Sequence, residues 1–382
     1  MKIGIITFLK VNNYGAELQA FALYKFIEGM NHNVEIIDYL HYKHPDFKVT
    51  RKAQPFIKLS QTQKIKEFLY PIISKVKSLP YRKQKRIRDQ KFEHFHKNFT
   101  RLSSHTYRTI DELYDAKFDY DLFMVGSDQV WNPNTNVSLK PYFLDFAPED
   151  KPKVSYASSF GVSELPEISQ SYYRDMLRGF EHIAVRESQG LEIVDTLIQK
   201  KATHVVDPTL LLTKEDWREF SNQPNIDGNY ILLYVLSDTD YISQLALFIA
   251  EQKNLKIIRL CKNASVEDKD ERFINIIDAG PSEYLGLFQN ASFVLTTSFH
   301  GTAFSVNFNI PFYTIFKSHK TNNSRQQSFL SSLGLANRLI PDNGKIPAVD
   351  QLNVDFEGAN QKLAQQRRQS VAYLDKILIT NN

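Results

Sequence analysis

The sequence has one cysteine, no long hydrophobic run and little net charge, and each shortage excludes a class of protein. Cys261 is the sole cysteine among 382 residues, which rules out an intramolecular disulfide and is typical of a reducing compartment. No apolar run approaches the ~20 residues that cross a bilayer. The apolar start at residues 3–9 is too short for a signal peptide and has no small-residue cleavage site. We therefore expect a cytoplasmic protein.

Charge is unevenly distributed along the chain. The 47 basic and 43 acidic residues give a net charge of +4, too small to indicate a nucleic-acid-binding protein. The window from Lys48 to Arg108, however, holds 17 basic residues and 3 acidic ones, a net charge of +14. Such a window usually forms a solvated helical face. The functional alternative is attraction to anionic lipid at the inner face of the membrane, or to a pyrophosphate-linked substrate.

The chain is long enough for two domains, and the first shows alternating strands and helices. Residues 2–9 are apolar on both faces, as in a buried parallel strand, residues 15–30 carry a helical stripe, and residues 34–39 form a second strand. Residues 42–117 are charged and show no clear strand, which predicts a basic helical insertion. Further strands are predicted at 121–126, 154–157, 182–185 and 203–206, with helices at 165–180 and 189–200. The first domain therefore spans residues 1–212.

A second α/β series follows a polar stretch. Residues 213–229 contain Pro224 and Gly228 and are predicted to be a linker. Strands are then predicted at 230–235, 256–260, 275–277, 293–297 and 311–316, with helices at 242–252, 282–290 and after His300. We expect a second domain at 230–350 and a C-terminal helix at 351–382 that could pack back on the first domain. Two consecutive α/β domains imply a cleft, with ligands at the carboxyl ends of the strands.

The strongest candidate site is Ser298-Phe299-His300-Gly301-Thr302, which follows the predicted strand at 293–297. A helix that starts here would leave the backbone N–H groups of Gly301 and Thr302 without helical partners, and these groups would bind an anion. His300 would lie beside that anion and can move a proton near neutral pH. The alternative is a purely structural start of a helix, in which Gly301 only allows close packing.

A second candidate is the loop Gly126-Ser127-Asp128-Gln129-Val130-Trp131-Asn132, which follows the predicted strand at 121–126. Asp128 could accept a proton from a hydroxyl group, and Trp131 could form a platform for a sugar ring. The alternative is a turn in which Ser127 or Asp128 caps a helix.

Three further positions could bind a ligand. Arg186 directly follows the predicted strand at 182–185 and offers a guanidinium fork that fits a carboxylate or phosphate. The alternatives are a surface ion pair with a nearby acid and a link to a neighbouring loop. Gly15 in Asn13-Tyr14-Gly15 would allow a ligand to approach the backbone, although an ordinary tight turn into a helix is the preferred explanation of this segment. Arg325 could add a second positive group, with a solvated loop as the default.

Several common sites are absent from the sequence. The first strand–helix junction lacks the three-glycine dinucleotide fingerprint, and there is no Walker-type phosphate loop, serine hydrolase elbow or His-Glu-x-x-His zinc motif. His94 and His96 would point about 200° apart on a helix, which excludes them as a metal-binding pair. We expect neither a metal nor a bound cofactor.

These motifs, in this order and across most of the chain, resemble the polysaccharide pyruvyl transferase family. The similarity rests on five segments: Asn13 to Ala16, Gly126 to Asn132, Val185 to Glu187, Val206 to Leu211 and Ser298 to Thr302. The resemblance implies an α/β fold with two Rossmann-like domains facing a cleft, similar to GT-B glycosyltransferases. It also implies transfer of the pyruvate unit of the co-substrate phosphoenolpyruvate onto two hydroxyls of a sugar, as a cyclic ketal in a capsular polysaccharide or exopolysaccharide.

The resemblance further implies roles for particular residues. His300 is the expected catalytic acid/base, and Asp128 is our candidate for the base that activates a sugar hydroxyl. Some family members carry an arginine where this chain has Ser298, so donor binding must rely more on other groups. The resemblance implies that Arg186 binds phosphoenolpyruvate. From the residues themselves we add Ser298, Gly301, Thr302 and Arg325 as expected donor contacts. The expected acceptor contacts are Asn13, Tyr14, Gly15, Ser127 and Trp131.

Two other functions are compatible with the sequence. A nucleotide-sugar glycosyltransferase of the same fold would need a carboxylate late in the second domain, and the segment after Phe316 offers none with clear spacing. A non-catalytic sugar-binding component of a glycan assembly complex would need no turnover. In the preferred interpretation the partners are phosphoenolpyruvate and a polysaccharide or lipid-linked oligosaccharide acceptor, without nucleic acid.

Overall fold

The structure, a computed structural model, describes residues 1–42, 44–48, 50, 79–135, 138–236, 239–262, 270–317 and 324–379. For these residues the chain forms two compact units. The first falls within Met1–Ser60, His96–Leu211 and Ala364–Asn382, and the second within Gln61–Phe95 and Leu212–Leu363. Much of the basic window, residues 51–78, lies outside the described residues.

The first unit is built on a parallel sheet with the strand order β2-β1-β3-β4. Its strands are β1 (Lys2–Ile6), β2 (Asn33–Ile36), β3 (Leu122–Val125) and β4 (Lys153–Ser155). A two-stranded parallel sheet, β5 (Ala184–Val185) and β6 (Thr203–His204), continues this order through single bridges from Val154 to His182 and from Ser158 to Val185. The predicted strands of this unit are therefore confirmed, with shorter ends.

The second unit contains a six-stranded parallel sheet with the order β12-β11-β10-β7-β8-β9. The strands are β7 (Tyr230–Tyr234), β8 (Lys256–Leu260), β9 (Phe273–Ile276), β10 (Phe293–Thr296), β11 (Phe312–Phe316) and β12 (Leu339–Pro341). Counted from β7 as the first strand, this is the order 3-2-1-4-5-6 of dinucleotide-binding folds. Strands β7 and β10 lie at its centre and are buried along their whole length, as their continuous apolar sequences require.

Helices connect and cover these strands. In chain order they are α1 (Tyr14–Gly29), α2 (Arg82–Phe99), α3 (Ile110–Tyr114), α4 (Glu167–Arg178), α5 (Ser188–Ile198), α6 (Lys214–Arg218), α7 (Asp240–Lys253), α8 (Pro281–Gln289), α9 (Phe299–Asn307), α10 (Ser324–Leu333) and α11 (Glu357–Ile379). Short 3₁₀ helices lie at Leu79–Tyr81, Lys140–Phe143, Pro208–Leu210, Ala336–Arg338 and Val349–Leu352. None of the helices in the described part of the chain combines the length and apolar character needed to cross a lipid bilayer.

Two features of the second unit differ from the sequence interpretation. The predicted linker at 213–229 contains helix α6, which begins with a capping box between Thr213 and Asp216 and buries Trp217 completely. Two of its polar residues, Thr213 and Asp216, therefore cap a helix. Strand β12 was not predicted, because its three residues are too short to show an apolar period.

The predicted basic insertion is also placed differently. We expected residues 42–117 to belong to the first domain, but α2 up to Phe95 clusters with the second unit. Contacts of α2 with this unit explain the placement, because Arg88 donates to the Cys261 carbonyl at 3.0 Å and Lys91 pairs with Glu283 at 3.3 Å. At the other end of the chain, α11 from Ala364 onward clusters with the first unit, where Tyr373 donates a hydrogen bond to the Ser155 carbonyl at 2.8 Å.

Gly286 in α8 provides a test of packing in the second unit. A Cβ atom at Gly286 would lie 1.7 Å from the backbone oxygen of Asn222, a residue already fixed by its hydrogen bond to Ser282 at 2.9 Å. We expect Gly286→Ala to lower the free energy of unfolding by about 1–3 kcal/mol, because backbone must move. Urea unfolding would measure this change.

The matched control is Gly358→Ala, which makes the same substitution in helix α11. A Cβ atom at Gly358 would meet nothing within 4 Å. This variant is expected to be neutral or slightly stabilising, because alanine favours a helix over glycine. Equal stabilities for the two variants would contradict the packing described at Gly286.

Candidate functional site

The order of strands predicts a ligand site in each unit. In open α/β sheets, ligands bind at the carboxyl ends of the two neighbouring strands where the strand order reverses. In the second unit these strands are β7 and β10, which end at Tyr234 and Thr296. In the first unit they are β1 and β3, which end at Ile6 and Val125. The two strongest candidate segments, Ser298 to Thr302 and Gly126 to Asn132, therefore follow strands at these positions.

Ser298 caps helix α9 in the second unit. Its side chain accepts a hydrogen bond from the Gly301 backbone N–H at 3.4 Å, and its carbonyl accepts one from the Thr302 N–H at 3.0 Å. The prediction that these two N–H groups are open to an anion is therefore wrong. The Thr302 hydroxyl lies in the interior as well, bonded to the Ser298 carbonyl at 2.9 Å and to the Thr314 hydroxyl at 2.7 Å.

Gly301 allows α9 to start directly against strand β10. A Cβ atom there would lie 2.3 Å from the Thr296 hydroxyl oxygen, closer than real side chains approach. The same hydroxyl donates to the Tyr234 carbonyl at 2.7 Å, which ties the ends of β10 and β7 together. The structural explanation of Gly301 given above thus holds, and its effect is to hold the neighbouring His300 at the strand ends.

His300 is the second residue of α9 and is 7% exposed. Its ring meets Phe299 edge-on at 5.4 Å between centroids. Phe299 in turn contacts Phe329 of α10 at 5.7 Å. Arg325 is half-buried one helical turn before Phe329, so it shares the face of α10 that packs against the start of α9.

Tyr234 is a residue of this site that the sequence interpretation missed. Burial raises the pKa of Tyr234 to about 12, while the charge of Arg88 and a hydrogen bond with the Ser298 side chain act to lower it. The phenol therefore stays protonated at physiological pH and can donate a hydrogen bond. The only sequence signal was its position as the last residue of a central strand.

Asp128 lies at the corresponding position of the first unit. Its backbone has φ of 74°, the left-handed region that is strained for residues other than glycine, and Ser159 holds it there by donating to its carbonyl at 3.0 Å. The side chain is 18% exposed, and its carboxylate accepts a hydrogen bond from the Gln129 N–H at 2.8 Å. A strained, partly exposed carboxylate at a strand end is typical of a functional position.

Arg186 is surrounded by carboxylates, and its side chain is 1% exposed. It donates to Asp207 at 2.8 Å and to Glu187 at 3.0 Å, and its Nη2 lies 3.9 Å from Oδ1 of Asp128. Burial acts to lower the pKa of Arg186, but the charges of Glu187, Asp207 and Asp128 outweigh it and raise the pKa above its usual range. The guanidinium therefore forms ion pairs, but these pairs are buried and do not lie at the surface.

Ser127 and Trp131 belong to the interior of the first unit. Trp131 is 0% exposed, stacks on Phe143 at 5.6 Å and donates through Nε1 to the Tyr142 carbonyl at 2.8 Å. It is a core residue, so the prediction that its ring is a sugar platform is wrong. Ser127 is also 0% exposed, and its hydroxyl donates to Asp207 at 3.1 Å. It supports the arginine network, and acceptor contact through its side chain is contradicted.

The segment Asn13-Tyr14-Gly15 starts helix α1. Asn13 is exposed and caps the helix, because its side chain accepts from the N–H groups of Gly15 and Ala16 at 3.0 and 3.3 Å. Tyr14 is 1% exposed and packs inside. Capping by Asn13 accounts for this segment, and its side chain is exposed whereas that of Tyr14 is buried.

Metal-binding side chains do not cluster in the described residues. No group of three or more His, Cys, Asp or Glu residues is placed there to hold an ion. His96 lies in a pair with Glu17 at 3.0 Å, and His94 is exposed on the other side of α2.

Comparison with known families identifies the chain. Residues 13–315 match the family model described as polysaccharide pyruvyl transferase. The chain belongs to this family. The resemblance drawn from the sequence is thereby confirmed, and Asp128, Arg186 and His300 all lie within the matched residues, whereas Arg325 lies beyond them.

Solved structures confirm the fold class. The chain is similar to a putative UDP-N-acetylglucosamine 2-epimerase from Listeria monocytogenes, with a TM-score of 0.51, 12% identity and coverage of 98% of this chain and 95% of that one. It is also similar to UDP-GlcNAc 2-epimerase from Methanocaldococcus jannaschii, with a TM-score of 0.50, 12% identity and coverage of 94% of this chain and 98% of that one. A further similar structure is Arabidopsis thaliana UGT89C1, with a TM-score of 0.50, 11% identity and coverage of 100% of this chain and 99% of that one. At these identities the similarity shows the fold alone, two Rossmann-like domains as in GT-B glycosyltransferases. No curated protein matches the sequence at a significant level.

The arginine network yields a prediction about stability. Arg186→Met would leave Asp207, Glu187 and Asp128 around an uncharged side chain, so the free energy of unfolding should fall by about 3–5 kcal/mol. Because the pKa of Arg186 is raised, its contribution is present at every pH below the ordinary arginine pKa of about 12.5, and the arginine itself should add no pH dependence between about pH 6 and 9. Urea unfolding at several pH values measures both effects.

Arg178→Met is the matched control, since Arg178 is an exposed arginine on α4 of the same unit. It should change the free energy of unfolding by no more than about 0.5 kcal/mol. If Arg186→Met were as stable as this control, the guanidinium would not be holding the carboxylates together.

Proposed function

We propose that this protein transfers pyruvate from phosphoenolpyruvate onto two hydroxyls of a sugar in a cell-surface polysaccharide or its lipid-linked precursor. The product is a cyclic pyruvate ketal, and phosphate is released. The observation that carries the proposal is the position of His300, in a member of this family, at the start of α9 where the strand order of the second unit reverses. We assign the donor to the second unit and the acceptor to the first.

In the proposed reaction His300 acts first as an acid. The imidazolium gives its proton to the methylene carbon of phosphoenolpyruvate, which becomes a methyl group, and the adjacent carbon becomes electrophilic. A sugar hydroxyl adds to that carbon and loses its proton. The bond from this carbon to the phosphate oxygen then breaks, and the second hydroxyl closes the ring and loses its proton. One of the two released protons restores the imidazolium, and the other leaves with phosphate or solvent.

Asp128 is our candidate for the base that takes a hydroxyl proton. Its carboxylate is 18% exposed at the end of β3, and Nη2 of Arg186 lies 3.9 Å from its Oδ1. We accordingly propose that Arg186 acts by positioning Asp128. Direct binding of phosphoenolpyruvate by Arg186, as expected from the resemblance, would need this buried guanidinium to leave Asp207 and Glu187.

Donor chemistry is tested by incubating the protein with phosphoenolpyruvate and a pyruvate-free polysaccharide. We expect release of inorganic phosphate, and we expect His300→Gln to lower kcat by at least about 100-fold, because a general acid typically contributes ~10²–10⁴-fold. The control is His94→Gln, which changes an exposed histidine. Thermal unfolding should be the same for both variants.

The alternatives give different results in the same assay. Release of UDP from a UDP-sugar, without phosphate release from phosphoenolpyruvate, would identify a nucleotide-sugar glycosyltransferase. Sugar binding without turnover of either donor would identify a non-catalytic sugar-binding component.

A peripheral membrane contact is the second part of the proposal. On α2 the side chains of Arg82, Lys83, Lys85 and Arg86 are all exposed, so they can face an anionic lipid surface. The protein should co-sediment with vesicles containing phosphatidylserine, and the bound fraction should fall as salt rises from 0.05 to 0.5 M, because salt screens exposed charges beyond ~10 Å at 0.1 M.

Vesicles of phosphatidylcholine alone provide the neutral control. Replacing the four cations with glutamine should abolish binding. Binding that is insensitive to salt, or no binding, would show that these side chains form a solvated surface.

A further inference from the structure

Helix α2 packs against the carboxyl edge of the sheet in the second unit. Gly280, which caps α8 after strand β9, lies so close to the helix that a Cβ atom there would be 2.5 Å from Cβ of Lys91. The Lys91 ammonium pairs with Glu283 of α8 at 3.3 Å. The sequence identifies this segment only as basic and helical. In the structure it covers the carboxyl edge of the sheet, where ligands bind in open α/β folds.

Arg88 is the buried cation of this helix. It is 4% exposed, whereas Arg82, Lys83, Lys85 and Arg86 are exposed. Its Nη1 donates to the carbonyl of Cys261 at 3.0 Å, and Cys261 follows the last residue of strand β8. The guanidinium also lies 5.6 Å from the ring of Phe92, four residues further along α2. The Arg88 side chain is therefore directed into the protein and away from solvent.

The position of Arg88 relates it to His300. Strand β7 lies between β8 and β10, and neighbouring strands are ~4.8 Å apart, so the end of β8 lies roughly 10 Å from the end of β10 where α9 begins. Tyr234, at the end of β7, lies between them: its hydroxyl is hydrogen-bonded to Ser298 and is acted on by the charge of Arg88. Arg88, Tyr234 and Ser298 therefore line the same edge across the reversal of strand order.

We propose that Arg88 binds an anionic group of phosphoenolpyruvate at this edge, and the inference rests on the proposed function. Phosphoenolpyruvate carries a phosphate and a carboxylate, and a guanidinium binds either through two parallel hydrogen bonds. Binding by Arg88 places a positive charge near the carbon that His300 protonates. Ser298 and Tyr234 contribute hydroxyl groups beside it, and neither carries charge.

Calorimetric titration with phosphoenolpyruvate tests this role. We compare the wild-type protein with Arg88→Met, Arg88→Lys and Arg218→Met, where Arg218 is an exposed arginine on α6 of the same unit. Arg88→Met should weaken binding by roughly 10- to 100-fold, as expected for loss of hydrogen bonds to a charged group. Arg88→Lys keeps the charge and should give an intermediate affinity, while Arg218→Met should match the wild type.

Steady-state kinetics separates binding from a role in packing. Arg88→Met should raise KM for phosphoenolpyruvate without changing KM for the acceptor. If Arg88 only anchored α2 to β8, the variants would lose thermal stability while the folded fraction bound phosphoenolpyruvate as tightly as the wild type. Should Arg88→Met fail to fold, the same comparison is made with Arg88→Lys.

The outcomes distinguish the role of Arg88 from the proposed function on which it rests. Wild-type binding of phosphoenolpyruvate, with Arg88→Met and Arg88→Lys as tight as Arg218→Met, would overturn the role of Arg88 and leave the proposed function standing. No wild-type binding at millimolar phosphoenolpyruvate, together with no phosphate release, would overturn both.

Discussion

The parallel arrangement of the strands is the constraint on which every candidate residue depends. Because parallel strands all end at one edge of a sheet, residues distant in sequence meet there without long loops. In the second unit this edge collects Tyr234, Cys261, Gly280 and Ser298 from four successive strand ends, and α2 adds Arg88 from earlier in the chain. In the first unit the same rule brings Asp128 and Arg186 within 3.9 Å. The strand order of each unit thus decides which of these residues lie close together.

Burial of charge gives these sites their rigidity. A buried guanidinium must be compensated, and Arg186 achieves this with two close carboxylates and the Ser127 hydroxyl, which fixes the loops after β3 and β5 relative to each other. The loop after β3 includes Asp128 in a strained backbone conformation that isolated peptide would rarely adopt. The position of Asp128 is thus held by buried polar contacts of the same unit.

Sequence patterns located most strands and helices and the two segments that follow the strands where the order reverses. These patterns missed features where the same residue type is compatible with two structural roles. The polar stretch at 213–229 was interpreted as a linker, although Thr213 and Asp216 cap a helix. Trp131 is predicted to be a sugar platform because it shares a loop after a strand with hydrogen-bond donors and an acid, yet its indole N–H donates to a backbone carbonyl inside the core. Periodicity and composition report exposure only on average, so they cannot assign an isolated aromatic residue in a loop.

The sequence by itself determined the family and the alternation of strands and helices, because these depend on local patterns and on the order of short motifs. The tertiary structure alone decided which charges are buried. Nothing in the run of basic residues distinguishes Arg88 from Arg86, and only the packing of α2 buries the former while the latter is exposed. Likewise, only folding brings Asp207 to Arg186 from 21 residues away. Burial and long-range pairing are properties of contacts between segments, and no segment carries them alone.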